Sequence, residues 1–313
     1  MTTTPQQLAQ AALARSVRQE VELPSAKTAY WVYPAMPAEG SHESAATILL
    51  VHGYRGNHHG LEAIAGALTD FNIIIPDLPG FGESAAFVGR HTIAAYAGWL
   101  AEFVAKVLPK DAIVLGHSFG SIVVSSAAHK GLSNRLVLEN PVASFERGRR
   151  EKVLETLTNA FYGLGGTLPE KPGNALLKNP LMVRVMSEVL AKTKNQPLRA
   201  WIHKQHDENF SEFAERRVAT EGYIASNSRS VASYARGIAN DTLLIAGEFD
   251  DITSLVDEQR LLRMFQHAQL KVIRGVGHLT HYETPTQVAD FVRDFVLGNT
   301  AGQGSNHTSA QPA

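Results

Sequence analysis

The residues best suited to chemistry in this chain are Gly116, His117, Ser118, Phe119 and Gly120, a G-x-S-x-G run. A serine hydroxyl becomes a useful nucleophile only when a neighbour takes its proton and another group steadies the charge it creates. Both require Ser118 to stand clear of its surroundings. A sharp strand-to-helix turn at positive φ lifts a side chain in that way. Glycines two residues to either side leave room for strand and helix to pass close together. The first N–H groups of that helix, beginning at Phe119, would face whatever Ser118 attacks. Five-residue patterns with three fixed positions also arise by chance, so the surrounding elements decide.

Those elements are legible. Residues 112–115 form a short apolar run before the motif, and an apolar segment of helical length follows it to His129. Residues 46–51 (ATILLV), 71–75 (FNIII), 135–138 (RLVL), 242–246 (TLLIA) and 270–273 (LKVI) are short apolar runs of the kind buried on both faces of a parallel sheet. Residues 28–33 (TAYWVY) have strand composition. Helical patterns cover about 60–68, 92–108, 254–266 and 285–297. Residues 1–20 read as a loose Ala/Gln-rich helix or arm, and 34–45 as a turn-rich connection.

From 142 to 237 no buried-strand run occurs and the pattern is helical, broken by Gly and Pro. This stretch holds 15 of the 29 Lys and Arg but 10 of the 30 Asp and Glu, so it is basic while the rest is acidic. It reads as a helical lid, or cap, inserted into an α/β core. The expected organisation is a core in two parts, 1–141 and 238–298, a cap at 142–237 and a disordered tail at 299–313.

Composition narrows the function classes. The chain has 313 residues and a net charge of −1, with 44% hydrophobic and 19% charged residues. Nothing in that balance suggests nucleic acid as a partner. Cysteine is absent, which excludes disulfides and a thiol nucleophile. No apolar run approaches the ~18 residues of a membrane span, and the N-terminus lacks a signal-peptide pattern, so a cytoplasmic protein is the expectation.

Buried strands alternating with helices imply a doubly wound, mostly parallel sheet, whose sites form at the carboxyl ends of the strands. Every motif lies at such an end, in the order loop, serine, acid, histidine. In this the chain resembles the α/β-hydrolase fold superfamily, over residues 46–296 apart from the lid. The resemblance implies that Ser118 is the nucleophile. It implies that Asp250, in GEFDD, is the acid and His278, in GVGH, the base. It points to the N–H of Tyr54, in HGYRG, as the oxyanion donor that joins Phe119. A small-molecule acyl substrate is implied; no cofactor and no metal are. The oligomeric state is open.

Rivals remain at several positions. His281 competes with His278, Asp251 with Asp250, and Glu139 lies where some relatives carry the acid. His52 is expected to pin its loop, His117 to pack beside the elbow and Asp77 to be structural. The run Asn57-His58-His59 reads as a solvated loop or pocket rim, because adjacent histidines on a loop point apart and no carboxylate spacing suits a metal. Phe145, Phe161, Tyr162, Leu181, Met182, Met186, Trp201, Phe210 and Tyr223 are expected to be mainly lid core, with a few facing the pocket. The activity expected is hydrolysis of a carboxylic ester, thioester or amide. A carbon–carbon bond hydrolase of the meta-cleavage-product type is the enzymatic alternative, although HGYRG departs from the HGGPG-like loop usual there. A non-catalytic binding protein on the same fold is the alternative of another class. Ser118 argues against dehalogenases and epoxide hydrolases, which need Asp at that position, and the long lid argues against a haloperoxidase.

Overall fold

The computed structural model describes residues 3–36, 45–143 and 149–298. Part of the 34–45 connection, Phe145 and the 299–313 tail therefore lie outside the described residues. The chain runs α1 (Pro5–Arg15), β1 (Val17–Val21), β2 (Thr28–Tyr33), β3 (Thr47–Val51), α2 (Glu62–Ala67), β4 (Asn72–Pro76), α3 (Ile93–Val107), β5 (Ile113–His117), α4 (Phe119–His129) and β6 (Leu136–Glu139). Five helices follow: α5 (Arg149–Thr167), α6 (Glu170–Leu177), α7 (Pro180–Leu190), α8 (Gln196–Asn209) and α9 (Arg216–Ser228). The remainder is β7 (Thr242–Gly247), α10 (Leu255–Leu262), β8 (Ala268–Ile273), α11 (Thr280–Glu283) and α12 (Pro285–Leu297).

The eight strands form one sheet in the order β1-β2-β4-β3-β5-β6-β7-β8. β1 and β2 are antiparallel to their neighbours and the rest are parallel. The mostly parallel sheet expected from the sequence is the sheet observed. Successive side chains leave a strand on opposite faces. In β3, Leu49 and Val51 therefore pack with Trp99, Phe103 and Ile122 of α3 and α4. Ile48 and Leu50 face the other way, onto Ile64, Val288 and Val292 of α2 and α12. Two buried faces explain why these strands read as unbroken apolar runs. From β3 the chain steps to β4 on one side and then to β5 on the other. The β3–β5 border is thus a topological switch point, where the loops after the two strands diverge and leave a crevice.

Two expectations need correction. The first 20 residues do carry the helix read there, but it is not loose. A capping box at Thr4 and Gln7 starts α1, and Arg15 at its end donates to Pro34 O and Ala65 O at 2.5 and 2.6 Å. Gly66 lets α1 lie directly on α2, since a Cβ there would come within 2.1 Å of Leu8 O. β1 was hidden because VRQEV is an exposed, charged edge strand with no apolar run to betray it. α10 is also shorter than the 254–266 pattern, ending at Leu262.

Helices α5 to α9 all lie between β6 and β7 and pack against one another in pairs. The segment joining α8 to α9 is fastened to the core. Gly82 N donates to Glu212 O (2.9 Å), and Ala214 N donates to Gly80 O (2.8 Å).

Candidate active site

Ser118 stands between β5 and α4 at φ 52° and ψ −116°. Its N–H donates to Glu139 O at 3.0 Å, which ties the turn to β6. The two motif glycines are required by space. A Cβ on Gly120 would lie 2.3 Å from Val51 O, and one on Gly116 would lie 2.5 Å from Gly120 O.

The loops after β7 and β8 bring Asp250 and His278 to the same strand ends. His278 Nδ1 lies 2.7 Å from Asp250 Oδ2, and His278 Nε2 lies 2.8 Å from Ser118 Oγ. An ionised carboxylate can only accept, so the ring proton belongs on Nδ1. That tautomer leaves the Nε2 lone pair facing the Ser118 hydroxyl, which donates to it. Both partners are almost wholly buried, with 4% of the His278 side chain exposed and 2% of that of Asp250. Burial by itself would raise the Asp250 carboxyl. His278, the Ile252 N–H (2.7 Å) and Asn140 together hold it below the ordinary carboxylate range.

Gly53 lies against the elbow, since a Cβ built on it would be 3.3 Å from Ser118 Cβ. The Tyr54 N–H follows on this loop, and the Phe119 N–H opens α4. Among the described residues neither has a hydrogen-bond acceptor. Free backbone donors of this kind are what a developing oxyanion requires. The Tyr54 side chain points elsewhere, its hydroxyl donating to Ala219 O of α9 at 2.5 Å.

The rivals occupy other positions. Asp251 pairs with Lys192 at the surface. Glu139 is fully buried and faces His117 and Thr280 instead of His278 Nδ1. Thr280 Oγ1 lies 2.6 Å from Glu139 Oε1 and also contacts Asn140 Oδ1. Burial pushes the Glu139 carboxyl up to about 7, against the pull of the Thr280 hydroxyl, which donates to it, and of His278. His281 packs its ring on His117 with centroids 4.0 Å apart. Burial, with His278 nearby, keeps it neutral.

The supporting histidine and acid act as expected. His52 Nε2 accepts from Leu78 N (2.9 Å) and its Nδ1–H donates to Gly53 O (2.8 Å), pinning two loops at once. Asp77 accepts from His58 N (2.7 Å), Glu83 N (2.9 Å) and His58 Nδ1 (3.0 Å). The Asn57-His58-His59 run departs in part from expectation: Asn57 lines the cavity over Ser118, as a pocket rim would, but Asn57 and His58 are buried, not solvated. His58 stacks on Trp31 with centroids 3.3 Å apart. The two imidazoles do not point apart. Their centroids lie 3.9 Å from each other, and with Glu62 they form a group whose ligand atoms lie within 4.8 Å of one another. The Nδ1 atoms of both rings are already committed to carboxylates, Asp77 and Glu62.

Asn140 escaped notice in the sequence because it looked like no more than a strand stop before Pro141. At φ 42°, its Nδ2 donates to Asp250 Oδ2 (3.0 Å) and to Gly277 O (3.3 Å). It thereby holds the loops bearing the acid and the histidine together. A single polar residue after a strand offers no local signal for such a task.

A cavity of about 800 Å³ opens over Ser118. Of the nine aromatic and apolar residues of the insertion considered above, Met186, Phe210 and Tyr223 line it. Tyr162 and Trp201 are buried elsewhere, while Leu181 is exposed. Thr158, Asn209, Ser226 and Asn227 add a polar wall that the sequence pattern did not reveal. Among the described lining residues there is no Lys or Arg, despite the basic composition of the insertion. Several of its cations are occupied elsewhere: Arg184 pairs with Asp207, Arg199 with Glu188 and Arg217 with Glu215.

Comparison with known proteins gives a consistent picture. A family model described as the alpha/beta hydrolase family matches residues 48–291. Lipase 1 of Psychrobacter immobilis is 26% identical over 276 residues, 82% of this chain and 79% of that protein. Lipase 3 of Moraxella sp. (strain TA144) is 23% identical over 267 residues, with the same coverage of 82% and 79%. The structure of an enol-lactonase from Burkholderia xenovorans LB400 superposes with a TM-score of 0.71 at 17% identity, over 89% of this chain and all of that one. A thermophilic esterase from Thermogutta terrifontis gives 0.69 at 21% identity, over 90% and 98%. Among the described residues no helix is long and apolar enough to cross a membrane.

Proposed function

The chain belongs to the alpha/beta hydrolase family, and from that membership we propose that it is a serine hydrolase of carboxylic esters, or of closely related thioesters or amides. One observation carries this: the hydrogen-bonded line from Asp250 through His278 to Ser118. Ser118 attacks the acyl carbonyl while His278 Nε2 takes its proton. Asp250 holds the ring in the required tautomer and stabilises the imidazolium. The N–H groups of Tyr54 and Phe119 receive the oxyanion; a donor of this kind is worth ~3 kcal/mol in the transition state. The tetrahedral intermediate collapses and His278 protonates the leaving alcohol. Water, activated by the same histidine, then hydrolyses the acyl-enzyme.

In this reading residues 142–237 form a cap over the cavity. Met186, Val189, Leu190 and Phe210 offer an apolar wall for an acyl chain. Among the described residues of this wall there is no Lys or Arg, which favours neutral acyl groups.

Labelling with a fluorescent fluorophosphonate tests the assignment. Wild type is expected to label and to turn over p-nitrophenyl acetate. Ser118→Ala is expected to lose labelling and to lower kcat by several orders of magnitude while remaining folded. Near-wild-type turnover in Ser118→Ala would reject Ser118 as nucleophile.

A further inference from the structure

We propose that Arg55 is a positioning residue that couples the helical insertion to the oxyanion N–H of Tyr54. The proposal rests on the hydrolase reading above and extends it to a residue that touches neither substrate nor triad.

Three non-glycine residues stand at positive φ among the described residues: Ser118, Asn140 and Arg55, the last at 64°. Ser118 is the elbow serine and Asn140 holds the acid and histidine loops. Backbone strain of this kind persists where the surroundings enforce it, and it gathers at functional sites. Arg55 is the third case, one residue beyond Tyr54, at a position whose backbone would suit glycine.

Its side chain is also in an unusual setting. Arg55 is only 1% exposed. Among the described residues no carboxylate pairs with it. Nε donates to Phe210 O (2.8 Å) and Nη2 to Leu177 O (2.9 Å), with Nη1 3.2 Å from Tyr162 Oη and Nη2 3.4 Å from Ser211 Oγ. The guanidinium also lies over the Phe213 ring at 5.6 Å. Leu177 ends α6 and Phe210 directly follows α8, so both carbonyls belong to helix C-termini, the negative ends of helix dipoles. The insertion therefore supplies the whole described hydrogen-bonding shell of this buried cation.

A buried guanidinium cannot forgo such a shell, because leaving it unsatisfied is strongly unfavourable. The position of Arg55, and of the strained loop that carries it, is consequently set by α5, α6 and the end of α8. Tyr54, bound to Ala219 of α9, is the second strap on the same loop. With these contacts made, the Tyr54 N–H is held beside Ser118. If the insertion shifts, both straps slacken and this donor is the first part of the site to lose its place.

The test compares wild type with Arg55→Gly, which removes the side chain and accepts the backbone angle, and with Arg55→Lys, which keeps the charge but not the planar fork of donors. Rates are normalised to serines titrated by the fluorophosphonate, so a partly unfolded population cannot mimic a slow site. Loss of an oxyanion donor lowers kcat and spares KM. Arg55→Gly is expected to lower kcat by about 10- to 100-fold with KM within about twofold, equally for p-nitrophenyl acetate and for a long-chain ester. Arg55→Lys is expected to fall between it and wild type, and it decides the matter alone if the glycine variant does not fold. An acetate rate within about twofold of wild type, with KM changed only for the long ester, would make Arg55 a pocket-wall residue and overturn the proposal. Hydrogen exchange separates this outcome from failure of the hydrolase reading. If wild type neither labels nor turns over ester, that reading fails. The strap is then judged by the amides of residues 53–57, expected to exchange about tenfold faster in the variant while those of 119–124 do not change. Unchanged exchange at 53–57 would overturn it.

Discussion

Asp250 and Asp251 carry the same group one residue apart, yet only Asp250 meets an imidazole. Asp250 accepts from Ile252 N, Asn140 Nδ2 and His278 Nδ1, whereas Asp251 binds Lys192 at the rim with 54% of its side chain exposed. In Asp250→Asn the amide offers N–H where the histidine needs an acceptor, which favours the wrong tautomer. The expected loss in kcat is roughly 10³- to 10⁴-fold. Asp251→Asn removes an exposed ion pair, worth at most ~1 kcal/mol, and kcat is expected to stay within a few-fold of wild type. Steady-state kinetics on one small ester compares the two, and the reverse ranking would move the acid to Asp251. The resemblance to the α/β-hydrolase superfamily implied Asp250, with Asp251 left as its rival. Asn140 and Arg55 could not be found that way, because their roles consist of contacts with residues more than 100 positions distant.

At the scale of elements, β5, the elbow and α4 were legible because one local rule covers all three: a fully buried strand, a turn that admits no Cβ at Gly116 or Gly120, and an apolar helix. β1 was not, since it is an exposed, charged edge strand without an apolar run, and neither was the docking of α1, whose partner Ala65 in α2 lies 50 positions from Arg15. α1 lies on α2 through Gly66, where an added Cβ meets backbone rather than a side chain that could turn away. Gly66→Ala is therefore expected to lift α1, lowering stability by about 1–3 kcal/mol. Limited trypsin digestion should then cut after Arg15 sooner than in wild type, while Ser118 labelling is retained. An unchanged digestion pattern would mean that α1 is held mainly by its other contacts.

Over the whole molecule, the buried histidines set how stability answers pH. Burial lowers the basicity of His52, His117 and His281, and takes His91 to about 4 and His206 to about 3. Below the ordinary value of 6.5 the unfolded chain protonates these rings and the folded one does not, so stability falls as pH drops through that window. Buried carboxyls act the other way. Glu139, at about 7, and Glu258, also raised by burial, are protonated in the folded state and gain on acidification down to the ordinary value of 4.5. Glu283, raised by burial, and His59, raised against burial by Glu62, act with these carboxyls, but the five lowered histidines above outnumber all four, and the urea midpoint is expected to decline from pH 6.5 to 4.5. A flat or rising midpoint would show that the carboxyls prevail.

The sequence alone determined the buried strands of the sheet, the elbow and the candidate triad. Strands buried on both faces must be apolar throughout, a strained turn between strand and helix must be flanked by glycine, and the order of the loops follows the order of the chain. Only the tertiary structure decided which acidic neighbour reaches the imidazole, which residues of the insertion face the cavity, where the basic side chains go and what satisfies Arg55. Each of these depends on where two distant segments come to lie side by side, and no spacing along the chain encodes a distance across it.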